Sequence, residues 1–160
     1  RSDSQERRGP AFSLFRLAAS SLGIDIFAIF LICAGIFGST MRPFVALLIL
    51  FAFRQVCQAL CALPAPRDMI WRHPGVPSLL VTYGVGNDFF FSGHTAVALL
   101  SAIEIARVAP LWLGITAGVV ALLEAVTVVV LRAHYTMDII AAIFATWCAL
   151  ALANWLCNVL

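Results

Sequence analysis

Five long apolar runs, separated by short polar or proline-marked breaks, organise the chain after its first sixteen residues. They cover about residues 18–38, 44–63, 89–108, 110–131 and 137–158. Each is close to the roughly 20 residues that an α-helix needs to cross a hydrocarbon layer ~30 Å thick. The first run ends near Gly38-Ser39, and Arg42-Pro43 opens the second, which Pro64 and Pro66 close. Pro110 starts the fourth, where its missing N–H costs nothing because first-turn N–H groups have no acceptor within the helix. Residues 1–16 are polar, carry Arg1, Arg7, Arg8 and Arg16, and are punctuated by Gly9-Pro10. The pattern predicts an all-α, polytopic membrane helix bundle of about five transmembrane helices. Residues 17–160 form one transmembrane catalytic domain, and residues 1–16 form a flexible or interfacial arm.

Composition excludes the main competing classes. The chain has 160 residues, 62% hydrophobic and only 11% charged, with a mean hydropathy of +1.00. A soluble domain carries about 25% charged residues. Too few charges are present here to coat a core, so a soluble domain, a nucleic-acid binder and a disordered chain are excluded. The net charge of +2 is too small to imply a polyanionic partner. All ten basic residues are Arg, so the place of each is informative. The five Cys (33, 57, 61, 148 and 157) lie in apolar runs without metal-ligand spacing. They read as small buried hydrophobes. No disulfide framework, metal or other cofactor is expected.

The one sizeable loop, residues 64–88, concentrates four of the seven Pro with Arg67, Asp68, Arg72, His73 and Asp88. Polar groups gathered in one long loop of a greasy protein point to function at that face. Chain connectivity puts four segments on one side: this loop, the start of the third helix, the 132–136 turn and the N-terminal arm. That side holds most of the Arg, and the positive-inside rule makes it cytoplasmic.

Two segments on that side carry candidate chemistry: DFFFSGHT at 88–95 and LRAHYTMD at 131–138. His134 and Asp138 are spaced i, i+4 and share a helix side. Asp138 can accept from one imidazole nitrogen and leave the other free as nucleophile or base. His94 comes from the neighbouring segment. One His could then attack phosphorus while the other protonates the leaving oxygen. Helix N-termini and loop Arg would neutralise the phosphate. A lone membrane His is commonly a packing residue. Here two His in mirrored positions, one with an i+4 Asp, favour function, because ionisable groups near a membrane are costly.

SGHT followed about 40 residues later by HYTMD resembles the second and third motifs of the lipid phosphatase/phosphotransferase superfamily. The likeness is greatest to the branch of sphingomyelin synthases and plant phosphatidylcholine:diacylglycerol cholinephosphotransferases. Asp88 ahead of FFFSGHT is similar to the former, and Arg132 and LPAPRD at 63–68 to the latter. The lipid phosphatases carry a Lys-containing first motif and an Arg six residues before the second His. This chain has no Lys, and that position is Val128. The departures point away from a phosphatase and towards a transferase. The resemblance implies that His134 is the nucleophile of a phosphohistidine-type intermediate, that Asp138 orients it, and that His94 is the acid and base. It implies phosphocholine transfer from a phospholipid to diacylglycerol, with ceramide or water as alternative acceptors, and no metal. Arg132, Arg67 and Arg72 are candidate phosphate ligands. Ser92, Asp88 and Tyr135 are further candidate substrate contacts, with Tyr135 and Trp71 offering either a membrane anchor or a face for a choline cation. The transferases resembled have six membrane helices, which implies one further helix ahead of Arg1. A transporter or scaffold is the non-enzymatic rival.

Asp25, Arg54 and Glu124 fall inside the first, second and fourth helices at similar depth, about 10–18 Å from the long-loop face. Opposite charges at one depth in hydrocarbon pair, so Arg54 is expected to pair with Asp25 or Glu124, either as a structural ion pair that joins helices or as a polar floor under the site. Glu104, near the opposite face, is expected to be interfacial.

Overall fold

The computed structural model describes residues 3–61 and 90–159, with side chains for 18–61 and 90–159. It is an all-helical polytopic bundle: α1 (Asp3–Phe37), α2 (Arg42–Leu60), α3 (Gly93–Val108), α4 (Leu111–Val130) and α5 (Thr136–Val159). Four of these helices contain stretches long and apolar enough to cross a membrane: Ala18–Phe37, Arg42–Leu60, Leu111–Val130 and Thr136–Val159. The polar segment before residue 17, expected as an arm, is helical from Asp3 and runs without a break into the first apolar span. Ser, Gln, Glu and Arg are ordinary helix formers, so an anchored apolar helix extends through them.

The third helix departs from expectation. Its predicted span opened at residue 89, but α3 has 16 residues and starts at Gly93. At 1.5 Å per residue it is about 24 Å long. The difference arises because Phe91 takes a φ of 103° and Ser92 turns into the helix cap. Short as it is, α3 is the centre of the bundle, in contact with each of the other four helices.

Residue size, rather than hydrophobicity, decides which side faces inward. The buried surface is dominated by alanine: Ala28 on α1, Ala46 on α2, Ala98 on α3, and Ala142, Ala149 and Ala153 on α5 are all inaccessible. Large apolar residues such as Leu22, Ile36, Trp112, Leu122, Phe144 and Trp147 lie on the outside. In hydrocarbon the outside is already apolar, so helices gain by close backbone approach through small residues. The α3–α4 crossing is tight enough that a Cβ on Gly114 would lie 2.9 Å from the Cα and Cβ of Ala106. The same logic corrects the cysteines: none is buried. Cys33 and Cys148 are exposed, and Cys57, Cys61 and Cys157 are half-buried, all as free thiols. A thiol is apolar enough to face lipid.

Two ionised side chains lock the far end. Arg42 at the start of α2 meets Glu104 on α3, N to O 2.8 Å, with side chains only 7% and 3% exposed. Glu104 is therefore buried and paired, not interfacial. Removing one partner strands the other charge in a dry site, at a cost of about 3–5 kcal/mol. Glu104→Ala should therefore lower the thermal midpoint in detergent sharply, whereas Arg107→Ala, an exposed neighbour on the same helix, should leave it nearly unchanged. Equal midpoints for the two variants would show that the pair contributes nothing.

Candidate active site

The near end of the bundle is built by two turns that meet. In the first, the buried Phe91 adopts a backbone conformation that non-glycine residues avoid. Such strain costs of order 1–3 kcal/mol and persists only where packing holds it. Here Phe91, 1% exposed, is held by the core. The turn delivers Ser92 as the N-cap of α3. Its Oγ accepts from Thr95 N at 3.4 Å and lies 3.0 Å from Thr95 Oγ1. Ser92 is fully buried, so its place in the site is as the cap that aims His94, two residues on.

The second turn closes α4 and opens α5. Ala133 N donates to Val128 O at 2.8 Å, and Arg132 N to Val129 O at 2.9 Å. These are the paired 6→1 and 5→2 bonds of a Schellman motif. Arg132 occupies its left-handed position with a φ of 52°, where glycine is the usual residue. Val128, at the place where the phosphatases carry Arg, is wholly buried. The motif ends the helix sharply and presents His134 at the start of the next one.

The two turns are joined by a backbone bond from Ser92 N to Asp138 O, 3.3 Å. Asp138 is fully buried in the first turn of α5. Its Oδ2 accepts from Tyr135 N at 2.8 Å and faces His134 Nδ1 at 3.4 Å. Asp138 thus faces the imidazole at Nδ1. His94 is buried, and the charged or titratable groups acting on it are His134, Arg54 and Asp25. His94, His134 and Asp138 therefore share one neighbourhood. Arg132 and Tyr135 are exposed on the turn beside them. Arg67, Arg72, Asp88 and Trp71 lie outside the described residues.

The deep charges are arranged otherwise than expected. Glu124 takes a hydrogen bond from Ser20 Oγ of α1. Glu124 is thus engaged by α1 rather than by Arg54. Arg54 instead lies over the start of α3: a Cβ on Gly93 would sit 3.6 Å from Arg54 Nε. Of the two readings open for Arg54, a structural pair or a polar floor under the site, this position beside the turn that carries His94 favours the second. The one available signal was depth, because a third helix that starts late brings its histidine down to the level of Arg54.

The family described as AtPDCT1/2 matches residues 7–155. Phosphatidylcholine:diacylglycerol cholinephosphotransferase 1 of Arabidopsis thaliana is 28% identical over 101 residues, which cover 61% of this chain and 31% of that protein. The chain therefore spans about a third of the length of the curated relative it matches. No solved structure matches.

Proposed function

The chain belongs to the AtPDCT1/2 family, and from that premise we propose that it is an integral-membrane transferase moving phosphocholine from a phospholipid to diacylglycerol. The observation that supports this reading most is the meeting of the SGHT and HYTMD turns through Ser92 and Asp138, which gathers two His and one buried carboxylate. The name of the Arabidopsis relative supplies the donor and acceptor classes.

The chemistry runs in two half-reactions. His134 Nε2 attacks phosphorus, and the bond from phosphorus to the glycerol oxygen breaks. His94, protonated, gives its proton to that oxygen, so diacylglycerol leaves. The Asp138 carboxylate stabilises the imidazolium that carries the phosphocholine. Neutral His94 then takes the proton from the hydroxyl of an incoming diacylglycerol, whose oxygen attacks phosphorus. The bond to Nε2 breaks, and its electron pair returns to His134. A site set among apolar helices excludes water and favours a lipid alcohol as acceptor.

Arg132 is a phosphate ligand in this reading. An arginine in a left-handed position that glycine fills more cheaply supports a role for its side chain. Arg132→Gly should therefore change stability and activity in opposite senses. The fold should gain up to about 1 kcal/mol by losing the left-handed strain, while transfer falls tenfold or more. Joint measurement of thermal midpoint and transfer rate checks it; full transfer by the variant would remove Arg132 from the site.

The acceptor is tested by reconstituting the protein in liposomes with choline-labelled phosphatidylcholine and adding diacylglycerol, ceramide or neither. Labelled phosphatidylcholine carrying the acyl chains of the added diacylglycerol is expected. Labelled sphingomyelin would move the reading to a ceramide acceptor, and free phosphocholine regardless of acceptor would make the protein a hydrolase. No labelled product under any condition would favour a transporter or scaffold.

A further inference from the structure

The far and near ends of α2 and α3 are in register. Arg42 meets Glu104 at one end, and Arg54 lies over Gly93 at the other. Twelve residues separate the two arginines and eleven separate Gly93 from Glu104, about 18 and 17 Å of helix. Arg54 is six residues short of the end of α2 at Leu60, which recesses the start of α3 by about 9 Å along the axis of α2. His94 therefore sits below the near surface of the bundle, and any phosphate reaching it must enter an apolar span with its charge.

The geometry points to Arg54 as the cation that seats the phosphodiester of the lipid substrate beside His94, with the adjoining apolar crevice taking the start of the glyceride. This rests on the transferase reading of the same site and names a binding residue that reading lacks. Four observations carry it. First, Arg54 stands in the apolar run of α2, where a charge is costly and marks a substrate path or an ion pair. Second, Glu124 is engaged by Ser20, and Arg54 Nε is buried without a hydrogen-bond partner among the described residues. Third, Gly93 presents no side chain, so the Arg54 side chain packs closely over the first turn of α3, where a Cβ would lie 3.6 Å from Nε, and brings a planar, forked donor suited to phosphate to the turn that carries His94. Fourth, a small crevice runs from Arg54 past Leu50, Phe51, Phe91, Ala96 and Val97. Leu50 and Phe51 are one turn deeper on the same face of α2, so its lining is lipid-like immediately below the charge.

Binding separates this role from a structural one. Purified full-length chain in detergent is titrated with diheptanoyl-phosphatidylcholine and, separately, with diheptanoylglycerol, which lacks the phosphate. Arg54→Gln should weaken phosphatidylcholine binding more than tenfold and leave diheptanoylglycerol binding unchanged. Arg54→Lys should keep the charge and restore most of the affinity while losing forked donation, so it falls between the two. Arg54→Met, which fills the same slot with an unbranched chain, replaces Arg54→Gln if that variant is not recovered folded. Unchanged phosphatidylcholine binding in a folded Arg54→Gln or Arg54→Met protein would overturn the assignment. Equal loss for both lipids would also overturn it, by making Arg54 a packing residue. Charge-dependent binding without transfer to any acceptor would instead sink the transferase reading and leave the phosphate seat standing. Wild-type kcat/KM in Arg54→Gln would do the reverse.

Discussion

His134→Ala should abolish transfer of phosphocholine and, together with it, covalent capture of the head group. Both losses follow from one atom. Nδ1 faces Asp138; in the proposed mechanism Nε2 forms the bond to phosphorus, and alanine offers no nucleophile in its place. The substitution is made at a half-buried turn position, so the fold should survive it and lipid binding should persist. His94→Ala should also stop turnover, but for a different reason and with a different escape. A donor lipid with a good leaving group no longer needs a proton in the first half-reaction, so head-group capture should partly return in His94→Ala and never in His134→Ala. The pair of variants, assayed with ordinary and activated donors, separates nucleophile from acid.

Asp138→Asn should cost about 10⁴-fold in rate while keeping the helix bundle intact. Asparagine is the same size as aspartate in a site with no spare room, since Asp138 is fully buried. Its amide oxygen can still accept from Tyr135 N as Oδ2 does. What it lacks is charge. With its oxygen in the Oδ2 place an asparagine cannot stabilise the imidazolium formed on attack, and with its NH2 turned there instead it holds His134 in the wrong tautomer and forfeits the bond from Tyr135 N; an oriented histidine that loses its carboxylate loses about this factor in rate. The thermal midpoint and the single-turnover rate of head-group capture should therefore part company. A variant that keeps its rate would reduce Asp138 to a bond that joins two turns.

Much of this architecture is legible in the amino-acid order, and the illegible part has a common cause. Runs of apolar residues broken by Pro and Arg place the apolar span of α1 and the bounds of α2, α4 and α5 to within a few residues, because hydrocarbon thickness sets a length that no packing detail can override. The start of α3 was not legible. Phe89-Phe90-Phe91 reads as more helix, and only tertiary burial holds Phe91 at a φ of 103°. That misplacement hid the level at which Arg54 lies over the start of α3. Burial in a greasy chain is equally obscure from hydropathy: Cys33 and Cys148 face outward while Glu104 and Asp138 are buried. Residue size would have served better, with alanine marking the contacts and Leu, Ile and Trp the lipid side. The Arg42–Glu104 pair had a readable signal, two opposite charges within a turn or so of the far ends of their helices. The i, i+4 spacing of His134 and Asp138 is a local property and needs no tertiary knowledge.

The account stands or falls on where the head group resides between donor and acceptor. Wild-type protein in liposomes, given choline-labelled phosphatidylcholine and no added acceptor, should be quenched under alkaline conditions that preserve phosphohistidine and then mapped by peptide mass spectrometry. The predicted result is phosphocholine on His134, discharged into phosphatidylcholine within one turnover when diacylglycerol is added before the quench. Steady transfer with the label on another residue, or with none on the protein at any time, would contradict it.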